Sequence, residues 1–357
     1  MLHTNGANKL WRTIAIVRPP AGIFRNTMRA VTLLLIGYCA ARAERLPIQV
    51  YTTMDGLESS FIQRIFQDSR GFMWFSTRNG LSRFDGHRFI TYNTEHGLSH
   101  STINFLLESR SGVYWVATNG GGVCRFNPSG AAAPLVRAQA RPLFTVYPVG
   151  DQPATNRVNL LYEDRAGRIW AGTDDGLFRL EEKAFRRVEV RSPRGPADDS
   201  SVNAMMEDRR GALWVGIKGE LHRLWPDGRT EHYTARHGLL TEVIWSLLED
   251  RDGRIWVGAI GGLFRLVLEP GRNQSIIARR YTTNDGLAGN IVLALLQASD
   301  GRIWIGTAGG LTEFDGVRMR KGSRQRRFAR PPLSELPISV LAVAIIKAQR
   351  IKPILKY

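Results

Sequence analysis

One sequence phrase recurs six times in this chain of 357 residues, and it restricts the possible folds more than any other feature. Each copy centres on a Trp, with a Gly three residues before it and a small residue two residues after it. Successive copies lie 41, 55, 44, 42 and 48 residues apart. The Trp residues are Trp74, Trp115, Trp170, Trp214, Trp256 and Trp304, and the Gly residues are Gly71, Gly112, Gly167, Gly211, Gly253 and Gly301. A β-rich repeat of roughly 40–50 residues is typical of the blades of a β-propeller.

Two apolar columns ahead of each Trp predict the innermost strand of each blade, since β-branched residues favour strands packed by neighbours. The first column is Ile62, Ile103, Val158, Val202, Ile244 and Val292, and the second is Ile65, Leu106, Leu161, Met205, Leu247 and Leu295. In the fourth copy the predicted strands are Val202–Glu207, Leu213–Ile217, Leu221–Leu224 and Thr230–Tyr233. The chain is therefore predicted to be an all-β propeller of four-stranded blades, with the Trp side chains packed between blades. A ring of stacked Trp residues that binds sugars is the alternative.

The two ends of the repeat region predict how the ring closes. Val50–Leu57 is a copy of the fourth strand and its following turn, but no complete blade precedes it. The last repeat has no recognisable fourth strand after Gly316. We therefore expect the N-terminal strand to complete the last blade and to cover the open sheet edges. A seven-bladed ring that lacks one blade is the alternative.

An Asp stands six residues before the Trp in four copies, and the four residues are Asp68, Asp164, Asp208 and Asp250. Ser109 and Ala298 replace it in the other two copies. Asp at the first position and Gly at the fourth are the preferred residues of a type I turn. A metal-binding loop is the alternative, but no further acidic residues follow at a fixed spacing, so no metal or cofactor is expected.

The net charge of +17 invites a nucleic-acid function, but its distribution argues against one. Residues 1–44 carry a net charge of +5 and residues 317–357 a net charge of +10, which leaves +2 for the repeat region. No basic stripe with interleaved aromatic residues is present in the repeats. Binding of nucleic acid by the propeller is therefore not expected.

The N-terminus resembles an export signal. Arg29 precedes an apolar run that ends in Ala41-Arg42-Ala43, so residues 1–43 are predicted to be a cleaved signal peptide, with Met28 as a possible true start. An uncleaved membrane anchor is the alternative, although the run is short for a bilayer span. We expect a periplasmic or extracellular protein, associated with a membrane only if the segment is retained. Cleavage would leave Cys124 as the one cysteine, predicted to be a small core residue.

The phrase Asp-x-x-Gly-x-x-Trp-x-Gly-Thr-x-x-Gly-Leu-x-Arg-Phe-Asp, with Tyr-Thr-Thr-x-Asp-Gly-Leu between copies, resembles the two-component regulator propeller repeat. The resemblance covers residues 46–316. It implies the periplasmic sensor region of bacterial hybrid two-component histidine kinases, a region whose ligands are often glycans or their breakdown products. It also implies a β-propeller over residues 44–316.

The chain departs from that family in its length and in its C-terminal segment. The family commonly carries two seven-bladed propellers, a β-sandwich, a membrane helix and a kinase, and here six repeats are followed by a basic tail, residues 317–357. We therefore expect a sensor module severed from its kinase by a shifted reading frame or a broken gene end. A genuine basic tail for anionic surfaces is the alternative.

One polar column near the start of the inner strand predicts where a ligand binds. It comprises Gln63, Asn104, Asn159 and Asn203, continued by Trp245 and Leu293. Irregular segments interrupt the repeats at Pro128–Pro142, Pro148–Pro153 and Ser192–Ser200, and the entry loops are expected on the same face as the turns between strands two and three. Amides beside an aromatic ring suit a hydroxyl-rich ligand at the channel mouth. Alternatively, these amides cap strand ends or hold channel water.

The sequence predicts no enzyme. The six His residues of the repeat region do not recur in the inner-strand columns, and they are His87, His96, His100, His222, His232 and His237. A Ser-His-Asp arrangement and a P-loop are also missing. Two alternatives to a ligand sensor remain open. One is a scaffold that binds another protein, and the other is an enzyme similar to streptogramin lyases, propellers that use a His/Glu pair and a metal.

Overall fold

The computed structural model describes residues 51–128, 142–190, 200–217, 219–239, 241, 243–268 and 276–321. The predicted signal segment 1–43, most of the basic tail and the irregular stretches 129–141 and 191–199 lie outside these ranges. Within the described ranges, no helix has the length and apolar character needed to cross a bilayer.

Six four-stranded antiparallel sheets form a six-bladed β-propeller, as the repeat predicts. Within each sheet the strands are hydrogen-bonded in chain order. The first blade comprises β1 Ile62–Gln67, β2 Met73–Thr77, β3 Gly80–Phe84 and β4 Phe89–Tyr92. The second comprises β5 Ile103–Glu108, β6 Tyr114–Thr118, β7 Val123–Phe126 and β8 Phe144–Tyr147. The third comprises β9 Val158–Glu163, β10 Ile169–Thr173, β11 Gly176–Glu181 and β12 Ala184–Val188. The fourth blade comprises β13 Val202–Glu207, β14 Leu213–Ile217, β15 Glu220–Leu224 and β16 Thr230–Tyr233. The fifth comprises β17 Ile244–Glu249, β18 Ile255–Ala259, β19 Gly262–Leu268 and β20 Ile276–Tyr281. The sixth comprises β21 Val292–Gln297, β22 Ile303–Thr307, β23 Gly310–Phe314 and β24 Met319–Lys321.

The prediction that the N-terminal strand completes the last blade is wrong. The fourth strand of the sixth blade is β24, which pairs with β23 from Phe314↔Met319 to Thr312↔Lys321. A turn at Asp315, whose carboxylate accepts backbone N–H groups from Val317 and Arg318, joins the two strands. Such a hairpin closes a very short loop, so its entropic cost is small compared with recruiting a strand from the far end of the chain.

The Asp and Trp columns are joined by a hydrogen bond that the turn prediction did not include. In four blades the Trp indole N–H donates to the second carboxylate oxygen of the Asp, at 2.8 Å each time. The other carboxylate oxygen accepts backbone N–H groups of the turn, for example from Phe72 and Ala212. The Asp therefore orders the turn and fixes the Trp together. No group of three or more metal-ligating side chains is found in the described residues.

Five hydrophobic clusters hold successive blades together, and each includes the Trp of the earlier blade. Trp74, for example, packs against Tyr114 and Phe126 of the second blade, with ring centroids 5.7 Å away in both cases. Trp214 and Trp256 are completely buried in the same way. The prediction that the Trp side chains form the core between blades is confirmed for these five.

The contact between the sixth and first blades differs from the other five. Trp304 is only half-buried, and none of the clusters in the described part of the chain contains it. The inner strands β21 and β1 lack the close packing that joins the inner strands of every other successive pair. We call this contact the sixth–first seam. The apolar surface area buried between neighbouring blades is therefore smaller at the seam than at the other five interfaces.

The buried turn carboxylates predict that acid destabilises the fold. Burial acts to raise the pKa of Asp164, but N–H donors of Trp170 and Arg168 outweigh it and hold that pKa below its usual value. A lowered carboxyl pKa stabilises the folded state above the unfolded-chain value of about 3.9, and this contribution is lost as pH falls through the folded-state pKa. We expect the free energy of unfolding, measured in urea, to fall as the pH is lowered from about 5 to about 2. The Asp164→Asn variant should show a flatter decline.

The matched control for this prediction is Asp151→Asn, which changes an exposed loop carboxylate and should leave the pH dependence as it is in the unchanged protein. The same slope in Asp164→Asn and in the unchanged protein would show that this carboxylate does not carry the acid sensitivity.

Candidate functional site

The loops that enter the innermost strands lie on the same face of the propeller as the turns between the second and third strands, as predicted. Backbone N–H groups of those turns donate to entry-loop carbonyl groups: Asn119 to Thr102 at 3.0 Å, Asp174 to Arg157 at 3.1 Å, and Ala308 to Ile291 at 2.9 Å. We call this side of the molecule the entry face. It brings together the loops that enter the inner strands and the turns between the second and third strands.

Four entry loops share one compact structure, which the sequence marks by Gly-Leu. Each forms a one-turn 3₁₀ helix with a reciprocal capping box, and the four are Thr53–Asp55, Thr94–His96, Ala235–His237 and Thr283–Asp285. Each turn ends at a Gly with positive φ, such as Gly56 at 94°, a conformation that disfavours other residues. The entry loop of the third blade differs, because Asn156 bonds to Val149 and Gly150 instead. These loops are rigid supports around the start of each inner strand.

The polar column predicted to bind a ligand coincides with a β-bulge in every blade. In all six inner strands the pairing register shifts by one residue at the same place. The residue skipped in the pairing is Gln63, Asn104, Asn159, Asn203, Trp245 or Leu293, and each is half-buried. A bulge leaves one residue unpaired and re-aims its side chain, and bulges are frequent next to binding sites. Apolar-polar patterning located the column, whereas the bulge is visible only in the strand pairing.

Three of the four amides also have structural contacts, which fits the alternative that they hold strand ends. Asn104 donates to the carbonyl of Val158 on the next inner strand at 2.9 Å. Asn159 donates to Asp174 at 3.0 Å and to Ser201 at 3.3 Å, and Asn203 donates to Ser201 at 3.1 Å. These bonds use the side-chain N–H donors. The fourth amide, Gln63, makes no hydrogen bond in the described part of the chain.

The fifth blade places an unused donor at the bulge position. The indole Nε1 of Trp245 is buried and has no hydrogen-bond partner among the described residues, and the same is true of the hydroxyl of the adjacent Ser246. A buried polar group without a partner destabilises a fold by about 1–3 kcal/mol, so such groups call for an explanation. A ligand acceptor atom at this position would satisfy the indole N–H.

Charged side chains frame the column on the third blade. The turn residue Asp174 receives the amide of Asn159 and lies 3.8 Å from the guanidinium of Arg157. Its neighbour Asp175 pairs with Arg187 and with Ser200. The carboxylates are thus paired with nearby cations, and this part of the entry face is polar without a large excess of one charge.

A buried His-Glu pair in the fourth blade was not predicted from the sequence. Nε2 of His222 lies 3.2 Å from a carboxylate oxygen of Glu220, and the two residues are only 1% and 4% exposed. Burial lowers the pKa of His222, with Glu220 opposing and nearby His232 adding to the effect. Glu220 stands where the other third strands begin with a Gly or, in the second blade, follow one. The pair is enclosed in the protein, so a substrate has no direct access to it.

The chain was compared with protein families and with known proteins. The family model described as two component regulator propeller matches four segments, residues 56–79, 152–175, 238–261 and 286–309. This match confirms the resemblance predicted from the sequence. A curated protein named Histidine kinase P4, from Formosa agariphila, is 48% identical over 42 residues, which are 12% of this chain and 3% of that protein.

Several solved structures share the fold. Two are extracellular domains from B. thetaiotaomicron, described as parts of a hybrid two-component system and of a one-component system. The first is 18% identical with a TM-score of 0.57, over 72% of this chain and 33% of that chain. The second is 22% identical with a TM-score of 0.59, over 77% of this chain and 38% of that chain. This chain therefore spans little more than a third of their length.

A propeller enzyme has a similar fold as well. Virginiamycin B lyase from Staphylococcus aureus is 13% identical with a TM-score of 0.58, over 74% of this chain and 85% of that chain. At these identities the likeness to all three structures is a likeness of fold.

Proposed function

We propose that this chain, which carries the repeats of the two-component regulator propeller, is the ligand-binding part of a sensor and binds its ligand on the entry face. The observation that carries the proposal is the column of bulges, which presents an amide in four successive blades and Trp245 in the fifth. Six-fold repetition of one backbone irregularity at one level of the ring supports a common role for the side chains that it aims.

The chemistry of the column favours a small, hydroxyl-rich ligand of the glycan type. Amide groups donate to and accept from hydroxyl groups, and a Trp ring packs against the apolar face of a sugar. The unpartnered indole N–H of Trp245 supplies one further donor for such a ligand. The paired carboxylates Asp174 and Asp175 add acceptors at the rim.

Export and a relation to sensor kinases belong to the same proposal. The signal-like sequence before Ala43 supports export, and the similar structures from B. thetaiotaomicron are extracellular domains. The short match to a histidine kinase supports descent from a sensor kinase. The protein would then bind its ligand outside the cytoplasm.

A lyase activity is the second candidate, favoured by the shared fold with virginiamycin B lyase. The buried position of the His222-Glu220 pair weighs against it. Incubation with a streptogramin B antibiotic, followed by mass spectrometry, tests the activity. Ring opening that a chelator abolishes would replace the sensor proposal with a metal-dependent enzyme.

Replacing Gln63 by Ala tests the ligand site cleanly, because this side chain makes no hydrogen bond among the described residues. We expect isothermal titration with the best ligand from an oligosaccharide panel to show affinity at least about tenfold lower, since a lost hydrogen bond to a bound ligand has about this effect. The double variant Asn159→Ala/Asn203→Ala should lose more. Thermal unfolding verifies that each variant is folded.

The control for the ligand site is His87→Ala, an exposed residue in the turn between the third and fourth strands of the first blade. This variant should bind like the unchanged protein. Unchanged affinity in folded Gln63→Ala and Asn159→Ala/Asn203→Ala would assign the column a purely structural role and end the proposal.

A further inference from the structure

We propose that the sixth–first seam is a docking surface for a β-hairpin of a partner protein, and that the hairpin has the residue pattern of the two inner strands of a blade. The five complete interfaces of this molecule share one construction. Each shows what a face like that of the sixth blade packs against.

The sixth blade presents the residues that elsewhere contact the next blade. In the fifth blade the equivalent pair, Trp256 and Leu263, is completely buried against the sixth. Trp304 and Leu311 hold the same positions in the sixth blade and are both half-buried. Because the residue types and positions are equal, the difference in burial comes from the neighbour alone.

The first blade presents the complementary face. The central residue of its second strand, Phe75, is half-buried, whereas the equivalent Val116 and Val257 are completely buried. Part of this face is already covered by Tyr51. The Tyr51 ring lies 4.9 Å from Phe84, the same distance that separates Tyr92 of the first blade from Phe126 of the second.

Tyr51 thus stands where the outer strand of a neighbouring blade places its Tyr. Its contacts with Phe84 and Phe89 cover the outer part of the face and leave the inner part for another segment. This geometry fits an occupant that supplies inner strands.

A row of inter-blade hydrogen bonds completes the pattern of the occupant. In five interfaces the backbone N–H of the second turn residue, directly after the Asp or Ser that begins the turn, donates to a Glu or Gln at the end of the next inner strand, at 2.6–2.9 Å. The equivalent donor in the sixth blade belongs to Ser299, and the equivalent acceptor in the first blade is Gln67. Gln67 donates to Gly71 of its own turn, as Gln297 does to Gly301, but no bond from Ser299 to Gln67 is found in the described residues.

The occupant is therefore a strand with a β-branched residue, an apolar residue three positions later and a carboxylate two positions after that. Ile244, Leu247 and Glu249 are one example within this chain. Continuity with five existing interfaces specifies this chemistry, and Trp304 at the centre of the face is the type of residue that dominates binding energy in protein interfaces.

The test uses a synthetic peptide of residues 243–260 of this chain, the β17–β18 hairpin that covers Trp214 and Leu221 in the fourth–fifth interface. The peptide carries a fluorescent label, and its anisotropy is measured on titration with the full chain. We expect saturable binding that weakens at least about tenfold in Trp304→Ala, as for a central interface Trp. Leu311→Asp should have the same effect.

Two controls separate the seam from non-specific adhesion. Trp225→Phe changes a Trp on the fourth blade, far along the chain from the seam, and should bind the peptide normally. A peptide with Ile244→Asp and Leu247→Asp should not bind. Circular dichroism verifies the fold of each variant.

Three outcomes would overturn the proposal. The first is no saturable binding, or binding that Trp304→Ala leaves unchanged. The second is binding that appears only after Leu341→Asp in the full chain, which would make the chain's own apolar run 338–346 the occupant. The third is a mass of two chains by light scattering that the peptide reduces to one, which would make a second copy the occupant.

Discussion

Trp214→Ala should destabilise the protein far more than Trp304→Ala, although both residues hold the same position in the repeat. Trp214 is completely buried between the fourth and fifth blades, and its indole N–H donates to Asp208 at 2.8 Å. Removing a buried Trp side chain costs about 3–5 kcal/mol. Trp304 is half-buried at the sixth–first seam, so its removal exposes less new cavity surface, and we expect a loss of about 1–2 kcal/mol.

Urea unfolding followed by circular dichroism measures both effects on one scale. Trp256→Ala is the matched control, since Trp256 is also completely buried and should behave like Trp214. Equal losses in Trp214→Ala and Trp304→Ala would mean that the sixth and first blades pack in solution as tightly as the others, and the seam would then not be available to a partner.

Asp208→Ala should destabilise the fold by about 3–5 kcal/mol, because it leaves a buried cation without its main partner. One carboxylate oxygen of Asp208 accepts from Trp214 at 2.8 Å and from Arg223 at 2.6 Å, and Arg223 is only 3% exposed. Burial acts to raise the pKa of Asp208, and the N–H donors and Arg223 together hold it below its usual value. The folded protein therefore requires the ionised carboxylate.

Asp227→Ala is the control for this second experiment. Asp227 also pairs with an Arg, Arg229 at 2.7 Å, but its side chain is 53% exposed, so the change should leave the free energy of unfolding almost unaltered. The double variant Asp208→Ala/Arg223→Met should lose less than the sum of its single variants, because the unpaired charge is removed as well. Strict additivity in the unfolding free energies would show that the two side chains are not coupled.

The candidate site was only partly accessible to sequence reasoning. The column of Gln63, Asn104, Asn159 and Asn203 could be found because polar residues interrupt an apolar pattern that repeats in every copy. That these residues are bulges, and that Asn104 bridges to Val158 of the next blade, depends on strand register and on a neighbour 54 positions away. The buried pair of His222 and Glu220 has no counterpart in the other repeats, so no pattern marked it.

The sequence by itself determined the count of six repeats, their four-stranded pattern and the packing role of the Trp column, but not the fourth strand of the sixth blade. These features follow from local patterns that recur in six copies. A strand with one apolar face can pair with its neighbours in few registers that keep this face buried. The turn predicted after Tyr51 also forms, as the 3₁₀ helix Thr53–Asp55 with the same capping box as Thr283–Asp285.

The tertiary structure alone decided which strands meet at the ends of the repeat array. The sequence favoured Val50–Leu57 as the segment that completes the sixth blade, but the hairpin of β23 and β24 does so because its turn is short. Tyr51 packs on the first blade instead. The sixth–first seam follows from that choice, because packing between blades depends on which neighbour is present, a property that no single repeat encodes.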